Sequence, residues 1–212
     1  MTTKLSTPTE QTPLPAGWRW ARLGEVCDED RVIIEPDSPV AADLPYLSLE
    51  HIESETGRIL GTGNPSKVRS TTFAFDSRHV LYGKLRPYLN KVALPDFKGR
   101  CTTELLPLLP RELCDREYLT LLLRRPETVA VAMQQKTGSR MPRADMEVLL
   151  GMSVPLPLLP EQRRIAARLN AVMAEIARAR AAAQGALDAA NALPAALLGA
   201  VFERDEAKGW TE

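Results

Sequence analysis

The hydrophobic rhythm of the chain changes near Pro160. Before that point short apolar runs alternate with Gly, Pro, Asn and Asp punctuation, the texture of a mixed domain rich in loops. Strands are predicted at 32–34, 46–49, 79–82, 92–94 and 104–109. The stretch 118–133 has helical spacing through Leu119, Leu122, Leu123, Val129 and Met133. Pro126 breaks or restarts that helix, because proline lacks a backbone donor and clashes with the preceding turn.

After Pro160 the pattern is helical almost without interruption, and 17 of the last 52 residues are alanine, the strongest helix former. Ile165, Leu169, Val172, Ile176, Ala179, Ala183, Ala186, Ala190, Leu193 and Leu197 recur at alternating steps of four and three, a coiled-coil seam. A helix from Glu161 to near Glu203 would extend roughly 60 Å at 1.5 Å per residue, too long for a small domain to cover. Part of its stripe therefore needs another helix. Pro194 predicts a kink, or a second helix starting at Ala192 or Leu193.

Composition narrows the class. The 212 residues, 44% hydrophobic, support a real core, and the formal net charge of zero removes the usual whole-chain footprint of a nucleic-acid binder. Locally the balance breaks: residues 1–60 carry 5 basic and 11 acidic side chains, whereas 61–100 carry 8 basic and 2 acidic. Three cysteines, Cys27, Cys101 and Cys114, do not form a disulfide framework and fit a reducing cytoplasm. The polar opening MTTKLSTPTEQTPLP reads as a flexible leader, and the first hundred residues hold no apolar run of signal-peptide or membrane-spanning length.

Catalytic motifs are weak. An adenine methyltransferase needs an Asn/Asp-Pro-Pro-Tyr/Phe motif and a cofactor glycine loop, and the nearest approach is Gly61-Thr62-Gly63 alone. Asp37 and Asp96 with Lys98 could be imagined around Mg²⁺ as a nuclease, but such short fragments arise by chance. His51, His79 and the cysteines lack zinc-site spacing, and Asp28, Glu29 and Asp30 read as a solvated turn. No catalytic residue and no metal ligand is assigned.

Six segments appear in order: LPAGWRWARLGEV (14–26), VLYGKLRPYLNKV (80–92), GRCTTELLPLLP (99–110), GSRMPR (138–143), VPLPLLPEQRRIAARL (154–169) and LLGAVF (197–202). Together they resemble the specificity subunits of type I restriction-modification systems, in a half-length form with one target recognition domain. The resemblance implies an α+β fold, one mixed recognition domain followed by a long coiled-coil helix. The implied divisions are a leader at 1–13, a DNA-binding recognition domain at 14–157, a spacer and dimerisation helix at 158–205, and a tail or truncated second repeat at 206–212.

It also implies a non-catalytic role: reading one half of a split site in double-stranded DNA and scaffolding adenine methyltransferase subunits, with a restriction subunit where the system has one. S-adenosylmethionine then belongs to the methyltransferase partner, and this chain takes no cofactor. The alternative is an interaction protein that pairs with a full specificity subunit through its helix and modulates assembly. Gly209-Trp210 echoes Gly17-Trp18, so the chain is either a half-subunit that pairs with a copy of itself or the front of a longer one.

The residues expected to meet DNA are Lys67, Arg69, Lys84, Arg86, Lys91 and Arg100 in the basic segment, with Lys136, Thr137, Ser139, Arg140 and Arg143 around Gly138. Guanidinium forks suit guanine or phosphate, and lysines suit phosphate. Arg86 and Arg140 lead this set. Pro87 and Pro142 are expected to fix turns, Tyr88 and Leu89 to pack, and Asn90 to satisfy backbone groups. The helix interface is assigned to Ile165, Leu169, Val172, Ile176, Ala183, Ala190, Leu193 and Leu197, in an antiparallel homodimer.

Overall fold

The computed structural model describes residues 13–134 and 141–202. Two compact units divide it, 1–166 and 167–212. The expected tail at 206–212 and nearly all of the leader lie outside the described residues.

Among the described residues the first unit holds ten short strands in three sheets. β1 (Arg19–Arg22) pairs antiparallel with β10 (Ser153–Leu156), so the two ends of the domain close on each other. A four-stranded antiparallel sheet has the order β2 (Cys27–Glu29), β9 (Leu105–Pro110), β6 (Val80–Gly83), β7 (Val92–Ala93). The other four-stranded sheet runs β3 (Ile33–Ile34), β5 (Thr72–Phe75), β8 (Gly99–Thr102), β4 (Tyr46–Leu47), with β4 parallel to β8 and the other pairs antiparallel. All five predicted strand regions contain a strand; β1, β2, β5, β8 and β10 were not anticipated. β9 is central although it contains Pro107, and the Pro107 carbonyl still accepts from the Asp30 amide at 2.9 Å.

Five α-helices among the described residues complete the fold. A single turn, α1 (Leu23–Val26), links β1 to β2. The predicted break at Pro126 is a restart: α2 (Arg116–Arg124) ends and α3 (Pro126–Ala132) begins with that proline in its first turn, where a missing N–H costs nothing. Asp115 caps α2 by accepting from the amides of Glu117 and Tyr118, and Asp145 caps α4 (Met146–Leu150) in the same way. Leu23, Leu47, Ile52, Leu81, Leu105, Leu106, Leu119, Leu123 and Leu149 form one buried core.

The last helix, α5 (Leu159–Phe202), has 44 residues, about 66 Å at 1.5 Å per residue. It continues through Pro194, so no second helix starts at Ala192 or Leu193. Its first two turns belong to the first unit: Gln162 and Ala166 are buried, and Ile165 packs on the core. From Ala167 onward the described side chains are almost all exposed, including Leu169, Val172, Ile176, Leu193 and Leu197. No helix among the described residues is long and apolar enough to cross a membrane.

Candidate nucleic-acid interface

The two basic motifs, more than fifty residues apart in the chain, meet. Leu85 and Arg143 form an antiparallel bridge. The Arg86 amide donates to the Pro142 carbonyl at 2.7 Å, and the Ala144 amide donates to the Lys84 carbonyl at 2.8 Å. Buried Pro87 and Pro142 hold the two turns on either side of this bridge.

Arg86 itself is exposed and adopts the left-handed region, φ 53° and ψ 63°. A residue with a Cβ enters that region at a cost of about 1–2 kcal/mol, and here the Pro142 carbonyl and the following turn hold it there. Among the described residues its guanidinium meets no hydrogen-bond acceptor and no carboxylate. Arg143 is also exposed, but Glu104 takes its Nε and Nη2 at 2.9–3.2 Å, and this carboxylate pushes its pKa up. Lys84 is half-buried, with its amide donating to the Glu104 carbonyl at 3.0 Å. Tyr88, expected to pack, is 48% exposed beside Arg86, because the turn after Pro87 directs it outward while Leu89 stays half-buried. Asn90 does serve the backbone: its Nδ2 donates to the Arg124 carbonyl at 3.1 Å.

Lys67 and Arg69 fall on a different feature. Asn64 caps a short 3-10 turn, Pro65–Lys67, by accepting from the Ser66 amide. That turn borders a cavity of about 390 Å³ whose lining includes Tyr46, Glu50, His51, Gly63, Lys67 and Arg69. Both cations are exposed.

Two other cations are turned inward. Lys91 is half-buried, and its Nζ donates to the Leu49 carbonyl at 2.6 Å; burial lowers its pKa. It fastens the 3-10 turn Leu49–His51 to the sheet. Arg100 is 1% exposed on β8, donates through Nη2 to the Pro65 carbonyl at 2.8 Å and lies 5.9 Å from the centre of the Tyr46 ring. Neither is presented to a ligand at the surface. Lys136, Thr137, Ser139 and Arg140 lie outside the described residues.

Sequence reasoning missed Glu104, Tyr88 and the cavity residues Tyr46 and His51. Gly63-Asn64-Pro65 was a legible turn signal, but nothing local says that Gly63 bridges to Tyr46.

A sheet-rich α+β domain leading into one long exposed helix, with cationic loops gathered by a bridge, has the build of a DNA-recognition module. The family model for the type I restriction modification DNA specificity domain matches residues 15–183, and the chain belongs to that family. It is 28% identical over 206 residues to the type I restriction enzyme EcoDI specificity subunit of Escherichia coli, an alignment covering 95% of this chain and 45% of that protein. Among solved structures, one from work on complex assembly and conformational transition of the type I R-M system matches with a TM-score of 0.73 at 28% identity, over 91% of this chain and 51% of the other. The HsdS subunit from Thermoanaerobacter tengcongensis matches with a TM-score of 0.69 at 27% identity, over the same shares. The chain thus spans about half the length of these relatives.

Proposed function

We propose that this chain reads one half of a split site in double-stranded DNA for a type I restriction-modification methyltransferase. The observation that carries the reading is the bridge between Leu85 and Arg143, which gathers the cationic residues of two separate family motifs at one place. Arg86, unpaired among the described residues, is the group best prepared to contact a guanine edge or a phosphate. Lys84 and Arg143 are proposed as positioning contacts, and Arg140, Lys136, Thr137 and Ser139, which lie outside the described residues, are proposed as DNA contacts from their place in the sequence motif. Adenine methylation, and the S-adenosylmethionine it consumes, belong to a partner methyltransferase subunit for which this chain selects the site.

The exposed seam of α5 supports an antiparallel homodimer. Ile165, expected in the seam, is instead taken by the core of the first unit, so the Leu169, Val172 and Ile176 end of one helix would face the Leu193 and Leu197 end of its partner, with Ala183 and Ala190 letting the axes approach at the centre. A two-fold pair then reads an inverted repeat interrupted by an unspecified spacer.

The test is sequencing of modified bases in cells carrying the partner methyltransferase with this chain or its Arg86→Ala variant. A split, symmetric methylated motif that appears with the chain and fades with the variant is expected. An unsplit motif, or methylation independent of the chain, overturns the reading.

A further inference from the structure

The cavity beside the Pro65–Lys67 turn has features that a solvated surface does not need. Lys67 and Arg69 open onto it as exposed cations. The Nδ1 of His51 accepts from the Ser48 amide at 2.9 Å, which leaves the proton on Nε2, so this ring offers the cavity a donor. Gly63 lies close against the rings of the wall: a Cβ there would come within 2.9 Å of His51 and 3.0 Å of Tyr46. Any side chain at that position would crowd the rings.

Beneath the Tyr46 ring lies the buried Arg100. Its Nη2 is satisfied by the Pro65 carbonyl, but Nε and Nη1 have no hydrogen-bond partner. Among the described residues no carboxylate is paired with it. A guanidinium taken out of water and left partly unpaired is costly unless a negative charge arrives. Both residues Arg100 touches, Tyr46 and Pro65, border or adjoin the cavity. The carboxylate that lines it, Glu50, is largely exposed, is engaged by the Ser48 hydroxyl at 3.0 Å and stands 3.8 Å from the His51 Nε2. The cavity therefore offers mainly donors and positive charge.

We infer that this cavity seats one backbone phosphate of the bound DNA, gripped by Lys67, Arg69 and His51, with Arg100 supplying a buried positive charge behind the wall. The inference rests on the DNA-reading role proposed above and adds a sequence-independent anchor to it. A phosphate, rather than a base, suits a lining that presents donors on several sides and no paired donor and acceptor edge.

Binding of the complex of this chain with its methyltransferase to cognate and unrelated duplexes is measured across a salt series, for the wild type and for Lys67→Gln with Arg69→Gln. Both side chains are exposed, so the fold should survive. The double variant should lose about tenfold in affinity for both duplexes alike, and the slope of log affinity against log salt should shrink by about 1. Independently, inorganic phosphate should move the His51 ring resonances of the isolated wild-type chain saturably, chloride at equal ionic strength should not, and the double variant should lose the response. Unchanged affinity and slope in the variant, with the wild type binding normally, overturns the phosphate seat and leaves the DNA role intact. A loss confined to the cognate duplex makes the cavity a base-reading pocket and overturns it also. A wild-type complex that binds neither duplex defeats the DNA role, and the seat with it.

Discussion

Replacing Gln162 with methionine should loosen the junction at which α5 leaves the recognition domain. This side chain is fully buried, and all three of its hydrogen bonds go to backbone: Nε2 donates to the Leu113 carbonyl at 2.9 Å and the Pro157 carbonyl at 2.8 Å, while Oε1 accepts from the Asp115 amide at 2.7 Å. Methionine keeps the volume and removes every bond, so the cost is polar rather than a cavity. Three bonds at a net ~1 kcal/mol each, with an orphaned amide at the cap of α2, come to about 3 kcal/mol. For a protein with a urea slope of about 1–3 kcal/mol per M, the midpoint should fall by roughly 1–3 M. Urea titration followed by tryptophan emission and circular dichroism gives the number directly. A loss below about 1 kcal/mol at unchanged slope would refute the assignment of Gln162 as a clamp.

Burial pushes the thiols of Cys27 and Cys114 up to about 12 from an ordinary 9.0, so their neutral forms stabilise the fold fully below pH 9 and that contribution is lost as pH climbs from 9 toward 12. The urea midpoint should drop over that window, and a Cys27→Ala, Cys114→Ala variant should show a shallower drop; identical pH profiles would contradict this. Because a glycine takes the left-handed conformation freely, Arg86→Gly should be more stable than Arg86→Ala by about 1 kcal/mol while binding DNA as poorly, and equal stability would mean that the backbone at Arg86 is unstrained. Leu169→Asp with Ile176→Asp should convert a light-scattering dimer to a monomer whose recognition domain keeps its melting temperature, and a wild type already monomeric at micromolar concentration refutes the paired helix.

The long helix was legible because its signal repeats: ten seam positions agree, and one proline does not outweigh them. The restart at Pro126 was legible for a local reason, since proline suits a first turn. The strands were only partly so. β8 pairs in parallel with β4, more than fifty residues earlier, and no local periodicity announces such a partner. GRCT and TFAF look like loop and run-on sequence until each supplies the other's hydrogen bonds. The interface divided along the same line. That the motif carrying Arg86 mattered could be read from the sequence; that Arg86 and Pro142 share a hydrogen bond could not. Counting charges also placed Lys91 and Arg100 with the surface cations, whereas Lys91 found a carbonyl and Arg100 an aromatic face and a carbonyl inside. Composition registers charge and is blind to depth.

The pairing of β1 with β10, Arg19 opposite Leu156 and Arg22 opposite Ser153, brings the chain into the domain and out of it through the same two-stranded doorway. Everything between residues 23 and 152 is, topologically, a single long excursion from that doorway. A replacement excursion of different length and different loops would have to keep the two ends in this register and the backbone groups of Leu113 and Asp115 that hold Gln162. Recombination within the flanking strands would then exchange one set of loops for another in a single event. With its entry and exit side by side, the segment between them can vary in length without moving the strand that leads into the helix.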